Sequence, residues 1–177
     1  LKKQSMRRVM HIWLASLILL LAEAGMAQEV KSKAYAVMLN GLLERQGPEL
    51  GVAELAQRPE LLRLDARSAE EYAVSHLQAA RRVGFKDFDP ARVRDLPQDT
   101  PVVVYCSVGY RSEKIAARLR KMGFAEVYNL YGGLFEWVNR GKPVYRNEQA
   151  TQAVHGYSWT WGIWLRRGQK VYGPPEN

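Results

Sequence analysis

The run Pro101-Val-Val-Val-Tyr-Cys106 constrains this chain more than any other segment. Consecutive β-branched residues favour extended backbone, and an apolar run with no polar alternation requires both faces of the strand to be buried. Strands of that kind belong to parallel sheets with helices on each side. The residues that follow, Ser107 to Ser112, lead into a stretch with Ile115, Ala116, Leu119 and Met122 at helical spacing, which predicts a helix over Arg111 to Met122 stopped by Gly123.

The neighbouring segments repeat the alternation. Leu61 to Asp65, Ala79 to Phe85 and Ala125 to Leu130 read as strands, and Val52 to Ala56 and Leu134 to Arg140 as short helices. Ser68 and Glu71 form a capping box opening a further helix. Phe88 to Pro97 is a loop or helical segment broken by Pro90 and Pro97, and Tyr131-Gly-Gly133 is a turn. Strands alternating with helices predict an α/β fold, a sandwich around a mostly parallel sheet.

The ends differ in character. Arg7 and Arg8 precede an apolar run from Ile12 to Ala22, followed by small residues at Gly25 and Ala27. That order describes a secretory signal peptide over residues 1–27, with cleavage after Ala27, a periplasmic or secreted location, and no stable membrane span after cleavage. At about 1.5 Å per residue the run covers only about half of a hydrocarbon core. Residues 28–46 are polar and mixed and read as a short helix or lead-in segment, and residues 144–177 form an aromatic-rich tail carrying Tyr157, Trp159, Trp161 and Trp164. The tail is expected to wrap the domain, with a substrate-rim or partner-docking role as the alternative.

Charge excludes little. The formal net charge is +8 over 177 residues, and removing Lys2, Lys3, Arg7, Arg8 and Glu23 leaves 22 basic against 17 acidic residues. A surplus of that size with no dense basic patch argues against a nucleic-acid partner. No metal-ligand cluster or phosphate-binding glycine motif is evident, so no metal or other cofactor is expected.

Cys106 is the single cysteine. An exported protein commonly uses cysteines in disulfide pairs, so a lone thiol is either inert in the core or kept for chemistry. Its position decides: ligands of open α/β sheets bind beyond the carboxyl ends of the strands. A loop curling around the sulfur, a helix dipole and an inward Arg111 would each favour thiolate over thiol. Gly109 would allow a positive φ, and Val108 and Tyr110 would form an apolar rim.

Five motifs, Leu61-Leu-Arg-Leu-Asp-Ala-Arg67, Glu70-Glu-Tyr72, His76-Leu-Gln-Ala-Ala80, Cys106 to Ser112 and Tyr131-Gly-Gly-Leu-Phe-Glu-Trp137, resemble in order and spacing the rhodanese family of sulfurtransferases. The resemblance covers residues 47–143. It implies a rhodanese-like three-layer sandwich with a five-stranded, mostly parallel sheet, and Cys106 as a nucleophile cycling through a persulfide. It further implies Ser107, Val108, Gly109, Tyr110 and Arg111 as the cradle for a small anionic sulfur donor such as thiosulfate. A thiol, cyanide or a protein would accept the sulfur. Ser107 stands where many thiosulfate-using members carry a basic residue.

Asp65 and Arg67 match the family's Asp-x-Arg motif and read as an ion-paired scaffold near the loop, with Ser112 also behind it. His76 and His155 read as structural. The alternative function is a non-enzymatic persulfide carrier or interaction module. A phosphatase is disfavoured because four residues separate Cys106 from Arg111, one fewer than in the related phosphatase loop.

Overall fold

The computed structural model describes residues 30–174. The signal segment expected over residues 1–27 lies outside them. Chain order is α1 (Lys33–Leu42), β1 (Glu49–Leu50), α2 (Val52–Leu55), β2 (Leu62–Asp65), α3 (Ala69–Val74), β3 (Arg81–Arg82), a 3-10 turn (Pro90–Val93), β4 (Val102–Tyr105), α4 (Tyr110–Lys121), β5 (Val127–Leu130) and α5 (Gly133–Asn139). The tail adds β6 (Val144–Arg146), β7 (Gln149–Thr151), β8 (Ala153–His155), α6 (Trp159–Gly162) and β9 (Gln169–Val171).

The main sheet has five parallel strands in the order β1-β5-β4-β2-β3. β4 is central and buried on both faces, which is why its sequence shows no polar alternation. Its side chains divide by period two between the layers. Val102 and Val104 meet Ile115, Ala116 and Leu119 of α4 on one side. On the other, Val103 and Tyr105 meet Leu39, Leu55, Leu134 and Phe135 from α1, α2 and α5. The result is the three-layer α/β sandwich expected from the sequence.

Two features differ from the sequence reading. β3 spans only Arg81–Arg82, because Ala79 (φ 54°) and Gly84 (φ 75°) leave extended backbone on either side. The fifth strand is β1, two residues long and too short to show a pattern. Residues 28–46, read as a short helix or lead-in, hold the helix α1, whose Leu39 is fully buried and whose Tyr35 hydroxyl donates to the Gly132 carbonyl at 2.8 Å.

The tail packs on this frame. β6 and β7 form an antiparallel hairpin through Asn147 and Glu148, both at positive φ, the backbone that tight hairpin turns require. His76 and Tyr145 exchange backbone hydrogen bonds of 2.9 and 2.8 Å, fastening the hairpin to the domain. Trp164 stacks on Tyr35 with centroids 5.4 Å apart, and Asn139 bonds the backbone at Trp164 and Arg166. Val144, Val154 and Leu165 are buried in the same core as α1 and α5. Fully burying such a side chain is worth about 1.5–3 kcal/mol, so truncation after Pro143 removes several kcal/mol together. The truncated protein is expected to aggregate or to melt well below the full chain in a thermal scan.

Candidate active site

Cys106 follows the last residue of β4, and Gly109 precedes the first residue of α4, so the loop turns from strand to helix in four residues. The turn is sharp. Gly109 sits at φ 114°, and a Cβ there would lie 3.4 Å from the Leu130 carbonyl. This conformation turns the Gly109 N–H onto Cys106 Sγ at 3.1 Å. The first amides of α4 have no intrahelical acceptor and add the positive end of the helix dipole beside the sulfur. Amide and dipole both stabilise negative charge there.

The loop is clasped from behind by the start of α5. Leu134 N–H donates to the Cys106 carbonyl at 2.8 Å and Phe135 N–H to the Ser107 carbonyl at 3.0 Å. Such an approach needs glycine: a Cβ on Gly133 would stand 2.5 Å from the Cys106 carbonyl oxygen. The pair Gly132-Gly133, legible only as a turn in the sequence, therefore sets the seating of the loop. Ser112 Oγ completes the support, 3.0 Å from the Gly109 carbonyl and 2.7 Å from Asn129 Oδ1.

Asp65 and Arg67 stand below the loop, fully buried. Asp65 Oδ1 accepts from Arg67 N–H (2.8 Å) and Nε (3.0 Å), Oδ2 accepts from Nη2 (2.6 Å), and Nη2 also reaches the Ser75 carbonyl (2.6 Å). The guanidinium lies 5.6 Å from the centre of the Tyr105 ring. The pair holds the end of β2, α3 and the end of β4 together.

Glu71 is the residue the sequence reading missed as part of the site. Its capping-box role is present, since Oε2 accepts from the Ser68 N–H at 2.9 Å. The same carboxylate also takes both terminal nitrogens of Arg111, each at 2.7 Å, and the Ser107 hydroxyl at 3.0 Å. Burial opposes its charge, but the hydrogen bonds and charge of Arg111, with the charge of Arg67, outweigh burial and bring its pKa down to about 2. A capping box gives no hint of this second use, because the partner lies 40 residues away.

Arg111, expected from the resemblance to help hold the donor, is paired with a carboxylate of the protein itself. Its guanidinium is engaged edge-on by Glu71 and covered on a face by the Tyr157 ring, 4.8 Å from the ring centre. Cys106, Ser107, Val108, Tyr110 and Arg111 all line one cavity of about 490 Å³. The tail closes it with His155, Tyr157 and Trp161. His155, read as structural, thus lies at the site. Its Nδ1 accepts from the Tyr157 N–H at 3.0 Å, Nε2 lies 3.9 Å from Glu70, and burial lowers its pKa. Tyr157 holds a left-handed backbone at φ 65°, uncommon for a bulky residue and frequent at functional sites. Among the described residues no cluster of acidic, histidine or cysteine side chains is arranged to hold a metal ion.

A central strand delivering a cysteine into a loop whose Gly109 amide faces the sulfur, at the carboxyl end of a five-stranded parallel sheet in an α/β sandwich, defines a class of fold and site. The chain belongs to the rhodanese-like domain family, whose model matches residues 51–140. It is 33% identical over 90 residues to a sulfurtransferase of Allochromatium vinosum, covering 51% of this chain and 83% of that one. It is 35% identical over 96 residues to the tRNA uridine(34) hydroxylase of Sodalis glossinidius, covering 51% of this chain but only 27% of that enzyme. Among solved structures, the rhodanese-like domain of an Anabaena protein superposes with a TM-score of 0.53 at 24% identity, over 58% of this chain and 82% of that one.

Proposed function

We propose that the protein is a sulfurtransferase in which Cys106 accepts a sulfane sulfur and passes it on. The observation that carries this reading is the seating of Cys106 Sγ at the floor of the cavity, under the Gly109 N–H and beside the start of α4. The likeness to the Allochromatium sulfurtransferase supports it over most of that protein's length.

The Cys106 thiolate attacks the outer sulfur of a donor, thiosulfate or an organic persulfide. The donor's S–S bond breaks and its inner sulfur leaves with the electron pair, as sulfite or as a thiolate. Cys106 then carries a persulfide, whose terminal sulfur is the charge that the loop amides stabilise. A thiol, cyanide or a protein acceptor attacks that sulfur and releases the Cys106 thiolate, giving ping-pong kinetics. The test is intact-mass measurement after exposure to a sulfane donor, which is expected to show one added sulfur on Cys106, removed by an added thiol. No mass gain from any sulfane donor sinks the reading.

The same cradle is not expected to hydrolyse phosphate esters. Four residues between Cys106 and Arg111, with Arg111 held by Glu71, leave a cradle sized for one sulfur atom rather than for a phosphorus centre bearing its oxygens. An assay with an aryl phosphate is expected to stay at background. Turnover lost on Cys106→Ser would count against sulfur transfer.

A further inference from the structure

The cavity contains more than a sulfur site requires. Thiosulfate has five heavy atoms, whereas about 490 Å³ falls within the range of sites for organic ligands. Its walls carry Leu42, Phe85, Val108, Tyr110, Tyr157 and Trp161. The residue best placed to recognise an anion beside the sulfur is Arg111, and its charge is already matched by Glu71 at two 2.7 Å contacts. Tyr157 shields a face of the same guanidinium. Of the other charged groups in the lining, Glu71 is paired with Arg111 and Asp87 with Arg82 and Arg92, and Glu70 and Lys86 carry opposite charges. The Gly109 amide and the start of α4 favour one negative charge at the sulfur, but the lining offers no surplus of cations to a dianion, which gives up its hydration on entry.

From this we infer that the cavity takes an organic persulfide whose body is apolar and carries no charge, and that Tyr157 of the tail sets that preference. The inference rests on the sulfurtransferase reading and names its donor. In the reaction, Cys106–S⁻ and R–S–SH give Cys106–S–S⁻ and R–SH. The donor's S–S bond breaks, a new one forms at Cys106, and the proton leaves on the thiol product. No external oxidant or reductant is needed. The aromatic walls hold R, while the shielded Arg111 gives an acidic R nothing to pair with. Only the tail supplies Tyr157 and Trp161, so the preference belongs to this chain's own C-terminal segment rather than to the conserved length of the family match.

The experiment uses the full chain and three donors generated in situ: benzyl hydropersulfide and the persulfides of methyl mercaptoacetate and of mercaptoacetate. The last two share a skeleton and differ in one negative charge. Sulfur loading of Cys106 is followed by intact mass under single turnover, each rate being divided by that of the same donor with free cysteine. The expected order is benzyl first, then the ester, then the acid, with benzyl over the acid by at least about tenfold, the scale on which apolar pockets discriminate. Tyr157→Gly, which suits the left-handed backbone and removes a half-exposed ring, is expected to slow the benzyl donor and speed the acid. An acid as fast as the ester and benzyl donors, or a benzyl-to-acid rate ratio unchanged in Tyr157→Gly, overturns the inference while leaving sulfur transfer standing. Absence of sulfur loading from all three donors overturns both.

Discussion

Cys106→Ser is expected to abolish sulfur transfer and to leave the protein folded. The sulfur is buried, and the hydrogen bond it accepts from Gly109 at 3.1 Å is one that a serine oxygen accepts as well. The fold therefore has no reason to fail. The chemistry has no route left, because a serine hydroxyl hardly ionises at neutral pH and forms no persulfide. The expected loss in turnover is at least about 10⁴-fold, the scale seen when an enzyme's nucleophile is removed. Intact mass after donor exposure should show no added sulfur, and the thermal midpoint should stay near that of the parent. A Cys106→Ser protein that still moves sulfur would end the proposal.

The second large effect belongs to Glu71, and it is an effect on stability. This carboxylate holds Arg111, Ser107 and the amide of Ser68, the cap of α3, from a buried position. Glu71→Ala leaves the Arg111 guanidinium without its partner, and breaking a buried pair on one side costs about 3–5 kcal/mol. The same pair makes the protein acid-sensitive. With a folded pKa of about 2 against an ordinary value of 4.5, Glu71 contributes its stability fully above about pH 4.5. As the pH falls from there towards 2 the carboxylate takes a proton and roughly 3 kcal/mol is lost. Denaturant melts between pH 5 and 2.5, a range chosen to bracket about this window, should show a steeper decline for the parent than for Glu71→Gln, which has no proton to take up there. Parallel declines would show that Arg111 is held by other means.

Local chemistry was enough for much of this protein. The β-branched run before Cys106, the Ser68 and Glu71 capping box, the helical spacing after Arg111 and the glycine at 109 each act within a few residues, so the sequence states them directly. They placed the sheet, its central strand and the cysteine at the strand end. Elements shorter than a pattern were not legible: β1 has two residues, and β3 is cut back by positive φ at Ala79 and Gly84.

Tertiary structure decided how the site is charged and walled. Glu71 meets Arg111 across 40 residues, and Tyr157 meets Arg111 from a tail that the family pattern does not cover. Neither meeting has a period or a turn signature, because each depends on where separate elements stop against a common core. An arginine after a cysteine loop reads as an anion site, and only the fold shows the carboxylate it pairs with. Sequence alone thus singled out Cys106 by its place on the chain. The charge around that cysteine was decided by the distant carboxylate that packing brought within 3 Å of Arg111.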